Sequence, residues 1–334
     1  MGKMAKSSYQ ALLGSIGMLL HQARMKVWQQ VNNILVRTYW EIGRHIVIYE
    51  QEKQETAAYG SRLLDKLASD LKDKYGKGFS RRNVLNMRTF YLSYKNWQTV
   101  SAVLSWSHLI ELLSLDDQPV RSFYEKECIA NKWSVRELRR QMDSMLYERL
   151  VIGRTKREVL KLASRGQVIV SAHDIIKDPY VLEFLGLPEH GSHSEKELEQ
   201  KIVDNMQSFL LELGRGFAFV ARQFRISLNN KHFSVDLVFY HRILKCFVLF
   251  DLKLGKVTHQ DIGQMNLYLN YFKKEEMVTG DNEPVGIVLG AEKDQVLVEY
   301  ALGGISNKLF ASRYRLELPD KKLLQAAVGR IVGG

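Results

Sequence analysis

Asp236, Asp251 and Lys253 are the residues of this chain whose types and spacing could do chemistry. Two aspartates and a lysine that converge can hold a divalent cation against a phosphate group and orient a water for attack. Their convergence follows from strand geometry. Residues 233–240 and 245–253 are rich in β-branched and aromatic side chains, and the short stretch 241–244 separates them, which predicts two antiparallel strands. A turn centred between Ile243 and Leu244 sets Asp236 opposite Asp251, and period-two alternation puts Lys253 on the face of Asp251. Ile243-Leu244 is poor chemistry for a tight primed turn, and a one-residue slip would carry Asp236 to the other face. A longer loop with the same centre keeps the pair. Facing carboxylates repel by about 0.2–1 kcal/mol in a sheet and by more once desolvated, so a cation belongs between them. Mg²⁺, with Mn²⁺ as a substitute, suits one or two carboxylates, several waters and substrate phosphate oxygens. Asp-x-Lys is a common way to end a strand in solvent, so the surrounding elements must carry the reading.

Those elements have recognisable patterns. Residues 258–272 have helical spacing, with Thr258 as N-cap and Ile262, Met265, Leu267, Leu269 and Phe272 offering apolar surface. Gln264 and Tyr268, four apart, share one face of that helix. Upstream, 195–213 reads as one amphipathic helix closed by Gly214, and 217–227 as a further strand. With a last strand over 284–289, the order helix, three strands, helix, strand describes an α/β sandwich with a mixed sheet.

This order resembles the core of the PD-(D/E)XK nuclease superfamily: a Glu-bearing helix, a strand with Gln223, a strand with Asp236, a strand with Asp251-Leu252-Lys253, and a helix with Gln264 and Tyr268. Over nearly the full length the chain resembles the bacterial YhcG-like family, on the stretches 104–110, 133–138, 177–186, 209–214 and 236–242. The resemblance implies an α+β protein of two domains, an all-α helix-turn-helix-like N-terminal domain and a restriction-endonuclease-like C-terminal domain. It implies that Asp236, Asp251 and Glu199 bind metal, that Lys253 is the catalytic lysine, and that Gln264 and Tyr268 complete the catalytic set. Glu195 and Glu197 compete with Glu199 for its role. The implied activity is metal-dependent cleavage of DNA, in recombination or in defence against foreign DNA, with no nucleotide cofactor. This chain departs from the pattern in two places. The first acid follows Val235 rather than proline, and the second is Asp251 where the family more usually has glutamate, a reach shorter by one methylene.

Composition fits a nucleic-acid enzyme. The chain has 334 residues, 46% of them hydrophobic, enough for two domains with proper cores. Its formal charge is +11, and residues 1–170 carry 28 basic and 16 acidic side chains against 20 and 21 in 171–334. A basic half supplies affinity for phosphates through counterion release, and DNA is the expected partner. In that half, residues 9–52 read as one or two helices with an apolar stripe through Val27, Val31, Ile34, Leu35, Thr38 and Tyr39 that continues to Ile42 and Ile46. A helix over 61–74, a Gly-containing turn and a second helix capped by Ser80 predict a helix-turn-helix. In it, Arg81, Arg82 and Arg88 would contact phosphate or guanine and Asn83 would read adenine; an ordinary helical hairpin with a basic face is the competing reading. Arg139 and Arg140 extend the positive surface, Ser134 and Glu137 form a capping box, and Trp106 and Trp133 are expected in the core. His241, beside the hairpin, is a further candidate DNA contact or an exposed loop residue.

These readings divide the chain into a helical DNA-binding domain over 1–150, a linker with a short helix over 151–194, and a nuclease domain over 195–334. Two cysteines far apart and no paired-histidine spacing leave no disulfide framework and no zinc site. No apolar run has the length of a membrane span and the N-terminus lacks a signal-peptide pattern, so a cytoplasmic protein is expected. A homo-oligomer, a dimer, is expected because cutting both strands of a duplex calls for two sites, with no heptad or exposed apolar helix to mark the interface. A non-catalytic DNA-binding scaffold and an RNA nuclease are the alternatives.

Overall fold

The computed structural model describes residues 2–52, 57–95, 104–152, 154–188, 193–293 and 308–333. Its contacts divide the chain into two compact units, Met1–Arg121 and Ser122–Gly334. The first unit is helical: α1 (Gly2–Glu52), α2 (Ala57–Tyr75), α3 (Arg81–Ser93) and α4 (Trp106–Leu113). The C-terminal part of α1 buries Ile46 in a cluster with Leu64 and Ala68 of α2 and Val84 of α3. Gly43 lies where α3 crosses α1 so closely that a Cβ would fall 2.0 Å from the carbonyl oxygen of Met87. Trp106 is a core residue as expected, edge-on to Tyr39 and Phe90. The α1 stripe does not pack as the periodicity predicts. Val27, Val31, Ile34 and Leu35 are exposed, because α2, α3 and α4 cover only the C-terminal part of the helix.

The second unit begins within α5 (Gln118–Asn131) and continues through α6 (Val135–Asp143), α7 (Leu146–Val151) and α8 (Lys156–Arg165). Trp133 and α6, read from sequence as part of the N-terminal domain, therefore belong to the unit that holds the sheet. The Ser134–Glu137 capping box forms. Residues 151–194 carry more structure than a linker, with α8 and the two-residue strand β1 (Tyr180–Val181). The predicted helix over 195–213 is two, α9 (Glu195–Asp204) and α10 (Met206–Leu213), broken at Asn205, whose φ of −113° and ψ of 31° leave the helical region.

A six-stranded mixed sheet forms the centre, in the order β1-β6-β5-β4-β3-β2, with β2 (Phe217–Leu228), β3 (Lys231–His241), β4 (Cys246–Val257), β5 (Val285–Lys293) and β6 (Leu309–Arg315). β2, β3 and β4 are antiparallel neighbours, whereas β4, β5, β6 and β1 run parallel. The parallel β4–β5 pair is bridged by α11 (His259–Tyr271), capped by Thr258 as predicted. Alternation sorts the strands between two cores. Leu237, Phe239, Val248 and Phe250 meet α9 and α10 at Leu198, Ile202, Phe209 and Leu213. Val238, Leu249 and Val288 meet α11 at Ile262, Met265 and Leu269.

The β3–β4 hairpin has the register predicted by a turn centred between Ile243 and Leu244, with His241 facing Cys246 and Leu237 facing Phe250. His241 closes it from inside: Nδ1 accepts the Leu244 N–H at 3.1 Å and Nε2 donates to the Arg215 carbonyl at 3.0 Å. It is fully buried, and burial lowers its pKa, so it is a neutral strut of the turn and neither an exposed loop residue nor a DNA contact. No helix among the described residues is long and apolar enough to cross a membrane.

Candidate active site

The regular β3–β4 ladder ends at the Leu237–Phe250 pair. Just beyond it, the side chain of Asp236 takes over a backbone bond, with Oδ2 accepting the Leu252 N–H at 2.7 Å. Oδ1 accepts from Gln223 Nε2 at 3.0 Å. Gln223 lies on β2 between Arg222, which faces Leu237, and Phe224, which faces Val235. Its φ of 47° is left-handed, a conformation uncommon for a residue with a side chain and concentrated at functional sites. The same amide nitrogen donates to Glu199 of α9. Glu199 is buried and also pairs with Arg222, whose Nε lies 2.6 Å from its Oε1. A hydrogen-bonded chain thus runs from α9 through β2 to β3.

Asp251, only 2% exposed, sits on β4 opposite Val288 of β5. Lys253 Nζ lies 2.9 Å from Asp251 Oδ2 and 3.9 Å from both Glu195 Oε2 and Asp261 Oδ1. Glu195 also accepts the Leu254 N–H at 3.3 Å. Burial, reinforced by Asp236, pushes the Asp251 carboxyl up to about 6. Burial also raises Asp236, with Glu199 adding to the rise, although the Leu252 N–H, Gln223 and Lys253 pull it back. For Lys253 burial acts to lower the pKa, but Asp251 and Glu195 outweigh it and the net shift is upward, so the lysine is an ammonium. Four carboxylates therefore surround one lysine, while Glu199 is matched by Arg222. Burial above all, with the neighbouring carboxylates, drives two carboxyl groups toward their neutral forms, a condition that nearby positive charge relieves. Among the described residues no group of three or more His, Cys, Asp or Glu side chains is arranged to hold a metal ion.

Of the residues singled out from sequence, the structure gathers Glu199, Asp236, Asp251 and Lys253 at this end of the sheet. Gln264 and Tyr268 stand behind them. Gln264 Nε2 donates to Tyr268 Oη, which donates to the Ser234 carbonyl at 2.9 Å and so ties α11 to β3 two residues before Asp236. Glu197 is exposed and its backbone N–H is capped by Ser194. The resemblance placed Gln223 on its strand without a stated role, and the sequence reading did not single out Arg222 or Asp261. Asp261 had a signal, as the third helical residue after the Thr258 cap; what Gln223 bridges becomes visible only once the β2–β3 register is known.

The proposed nucleic-acid contacts fare unevenly. The Asn83 amide is spent on its own unit, donating to the Gly78 carbonyl and accepting Trp106 Nε1 at 2.8 Å, so it braces the α2–α3 turn and does not read a base. Arg81 pairs with Asp65, and Arg88 Nε reaches both carboxylate oxygens of Glu50 at 2.8 and 3.0 Å. Arg140 is bound to Glu183, to the Val181 carbonyl and to Glu212, an internal tie rather than a surface cation. Arg82 and Arg139 are exposed.

Known proteins match most of the chain in sequence. Residues 173–328 match the family described as "YhcG PDDEXK nuclease domain" and residues 15–149 match "DUF1016 N-terminal domain". The chain is 39% identical over 350 aligned positions to "Putative nuclease YhcG" of Escherichia coli (strain K12), covering 95% of this chain and 93% of that one. Among solved structures, a repair endonuclease from Pyrococcus abyssi matches with a TM-score of 0.28 at 21% identity, over 40% of this chain and 50% of that chain. A double-stranded DNA complex of EndoMS matches with a TM-score of 0.27 at 16% identity, over 40% and 51%. On the full-length relative and the two family matches, the chain belongs to the YhcG-like family of PD-(D/E)XK nucleases.

Proposed function

We propose that this nuclease is a metal-dependent endodeoxyribonuclease whose centre is Asp236, Asp251 and Lys253. The observation that carries the reading is the surplus of carboxylates, buried Asp251 among them, around a single ammonium where β3 and β4 part. Asp236 and Asp251 would hold a divalent cation such as Mg²⁺ or Mn²⁺, with Glu199 one amide away through Gln223. Such a cation, when bound, offsets phosphate charge and acidifies a water. Lys253, kept protonated by its neighbours, orients the attacking water and compensates the charge that builds on the phosphate; its raised pKa makes it a poor general base. Gln223 fixes the rotamer of Asp236 and Tyr268 fixes the strand that carries it. The excess of basic side chains favours a nucleic acid as substrate, and the family resemblance favours DNA.

The test is cleavage of supercoiled, linear and branched DNA, and of RNA in competition, with Mg²⁺, Mn²⁺ or chelator, beside Asp236→Ala and Lys253→Ala. Metal-dependent nicking of DNA by wild type, reduced at least 100-fold in both variants, is the expected result. Equal cleavage by the variants would sink the catalytic assignment. Preferential loss of RNA would change the substrate, and tight DNA binding with no cleavage in either metal would leave a scaffold that has kept the fold.

A further inference from the structure

The N-terminal part of α1, contrary to the sequence reading that saw no heptad or exposed apolar helix, exposes an apolar stripe, with Arg24 at its edge between Leu20 and Val27. Leu13, Leu20, Val27 and Ile34 recur every seven residues, and Ile16 and Val31 lie between them at spacings of three and four. At 3.6 residues per turn these six fall within an arc of about 60° on one face. Each is between 45% and 64% exposed, although the same helix buries Val36, Ile46 and Val47 further along. One helix thus has a C-terminal part inside a folded unit and an N-terminal part left as a seam without a facing surface among the described residues.

The chemistry of the stripe selects its occupant. A seven-residue repeat of branched aliphatic side chains is the pattern by which one α-helix packs along another. From Tyr9 to Ile34 the stripe extends ~38 Å at ~1.5 Å per residue. Two such faces brought together reach the range of roughly 1,200–2,000 Å² that a stable interface buries. Between residues 9 and 35 the only charged side chains are Arg24 and Lys26, and the polar face is chiefly glutamine and asparagine. That face lacks the dense basic charge of a helix that lies on an anionic lipid surface.

We propose that α1 pairs along this stripe with α1 of a second copy of the chain. The pairing does not depend on the chemistry at Asp251, and it brings two nuclease sites into one assembly, as cutting both strands of a duplex requires.

The experiment uses the full-length protein in sedimentation equilibrium at micromolar concentration. Wild type is expected at a mass of two or more chains and Leu20→Glu/Val27→Glu at one, with circular dichroism showing that the variant stays folded. Gln22→Glu/Gln29→Glu, on the opposite face, is expected to keep the wild-type mass. Independently, single cysteines introduced as Leu13→Cys, Leu20→Cys, Val27→Cys and Ile34→Cys are oxidised, the native Cys128 and Cys246 being buried. At least one should give a covalent dimer on a non-reducing gel, and Gln22→Cys and Gln29→Cys should not. A wild type of one-chain mass overturns the proposal, as does an oligomer that Leu20→Glu/Val27→Glu leaves intact. Wild type that sediments as a monomer yet binds anionic vesicles would assign the stripe to lipid instead.

Discussion

Asp251 is ionised at the expense of the fold. Its carboxyl is raised from an ordinary value near 3.9 to about 6 by burial and by Asp236, so between those values the folded chain binds more protons than the unfolded one. In metal-free protein its contribution to stability is therefore most favourable below pH 4, falls as pH rises toward 6, and stays low above. Asp251→Asn removes that penalty. At pH 7.5 without metal the variant should unfold later than wild type by about 2–3 kcal/mol, with the difference closing below pH 4, while cleavage is abolished. Thermal unfolding at both pH values checks it; an unchanged or lowered midpoint at pH 7.5 would show that Asp251 is not strained. The position of Asp251 was legible because two strands and one turn centre fix who faces whom. Gln223 was not. Its bridge from Glu199 to Asp236 depends on a left-handed backbone and on a helix that arrives from elsewhere in the chain, and neither leaves a local pattern.

At the scale of elements, α6, α7, α10 and β1 are joined through one carboxylate. Glu212 of α10 is fully buried, with Arg149 Nη1 at 2.6 Å and Arg140 Nη1 at 3.2 Å, and it accepts the Val181 N–H at 3.0 Å. Burial alone would raise its carboxyl, but Arg149, Lys177 and Arg140 hold it at about 2. Glu212→Ala leaves the Arg149 guanidinium buried without its counter-charge, which costs about 3–5 kcal/mol. Denaturant unfolding at pH 7 should show that loss. Because the folded pKa is depressed, the carboxylate's contribution is complete above the unfolded value near 4.3 and disappears as pH falls toward 2, so wild type and variant should converge in acid. Replacing the pair as Arg149→Met/Glu212→Leu should cost far less than Glu212→Ala alone. This knot is why contacts group Trp133 and α6 with the sheet, whereas the sequence reading, like the family match over 15–149, groups them with the N-terminal domain. Helical periodicity identifies a helix and its buried face, but it does not say which core that face meets, and a basic residue such as Arg140 looks the same in sequence whether it faces a phosphate or a glutamate. The residues over 151–194 were read as a linker for a related reason, since a two-residue strand and short turns have no period to detect.

For the whole molecule, the unit boundary at Arg121 redistributes the charge. Residues 1–121 carry 17 basic and 10 acidic side chains and residues 122–334 carry 31 and 27, so both units are net positive. The contrast between the two halves of the sequence is smaller between the units, although the first remains the more basic for its size. Part of the positive charge is also spent internally at Arg81, Arg88, Arg140 and Arg149. What remains for a polyanion includes Arg82 in the first unit and the exposed Lys156 and Arg157 in the second. If both units touch the duplex, binding should weaken with salt in proportion to all of these contacts, each one lost reducing the slope of log K against log salt by about 0.9. Arg82→Gln and Lys156→Gln/Arg157→Gln should therefore each flatten the salt dependence of DNA binding, measured with the cleavage-defective Asp236→Ala protein, and their effects should add. A flattened slope for the Lys156/Arg157 pair alone would confine recognition to the nuclease unit, and the helical unit would then act by joining chains rather than by holding DNA.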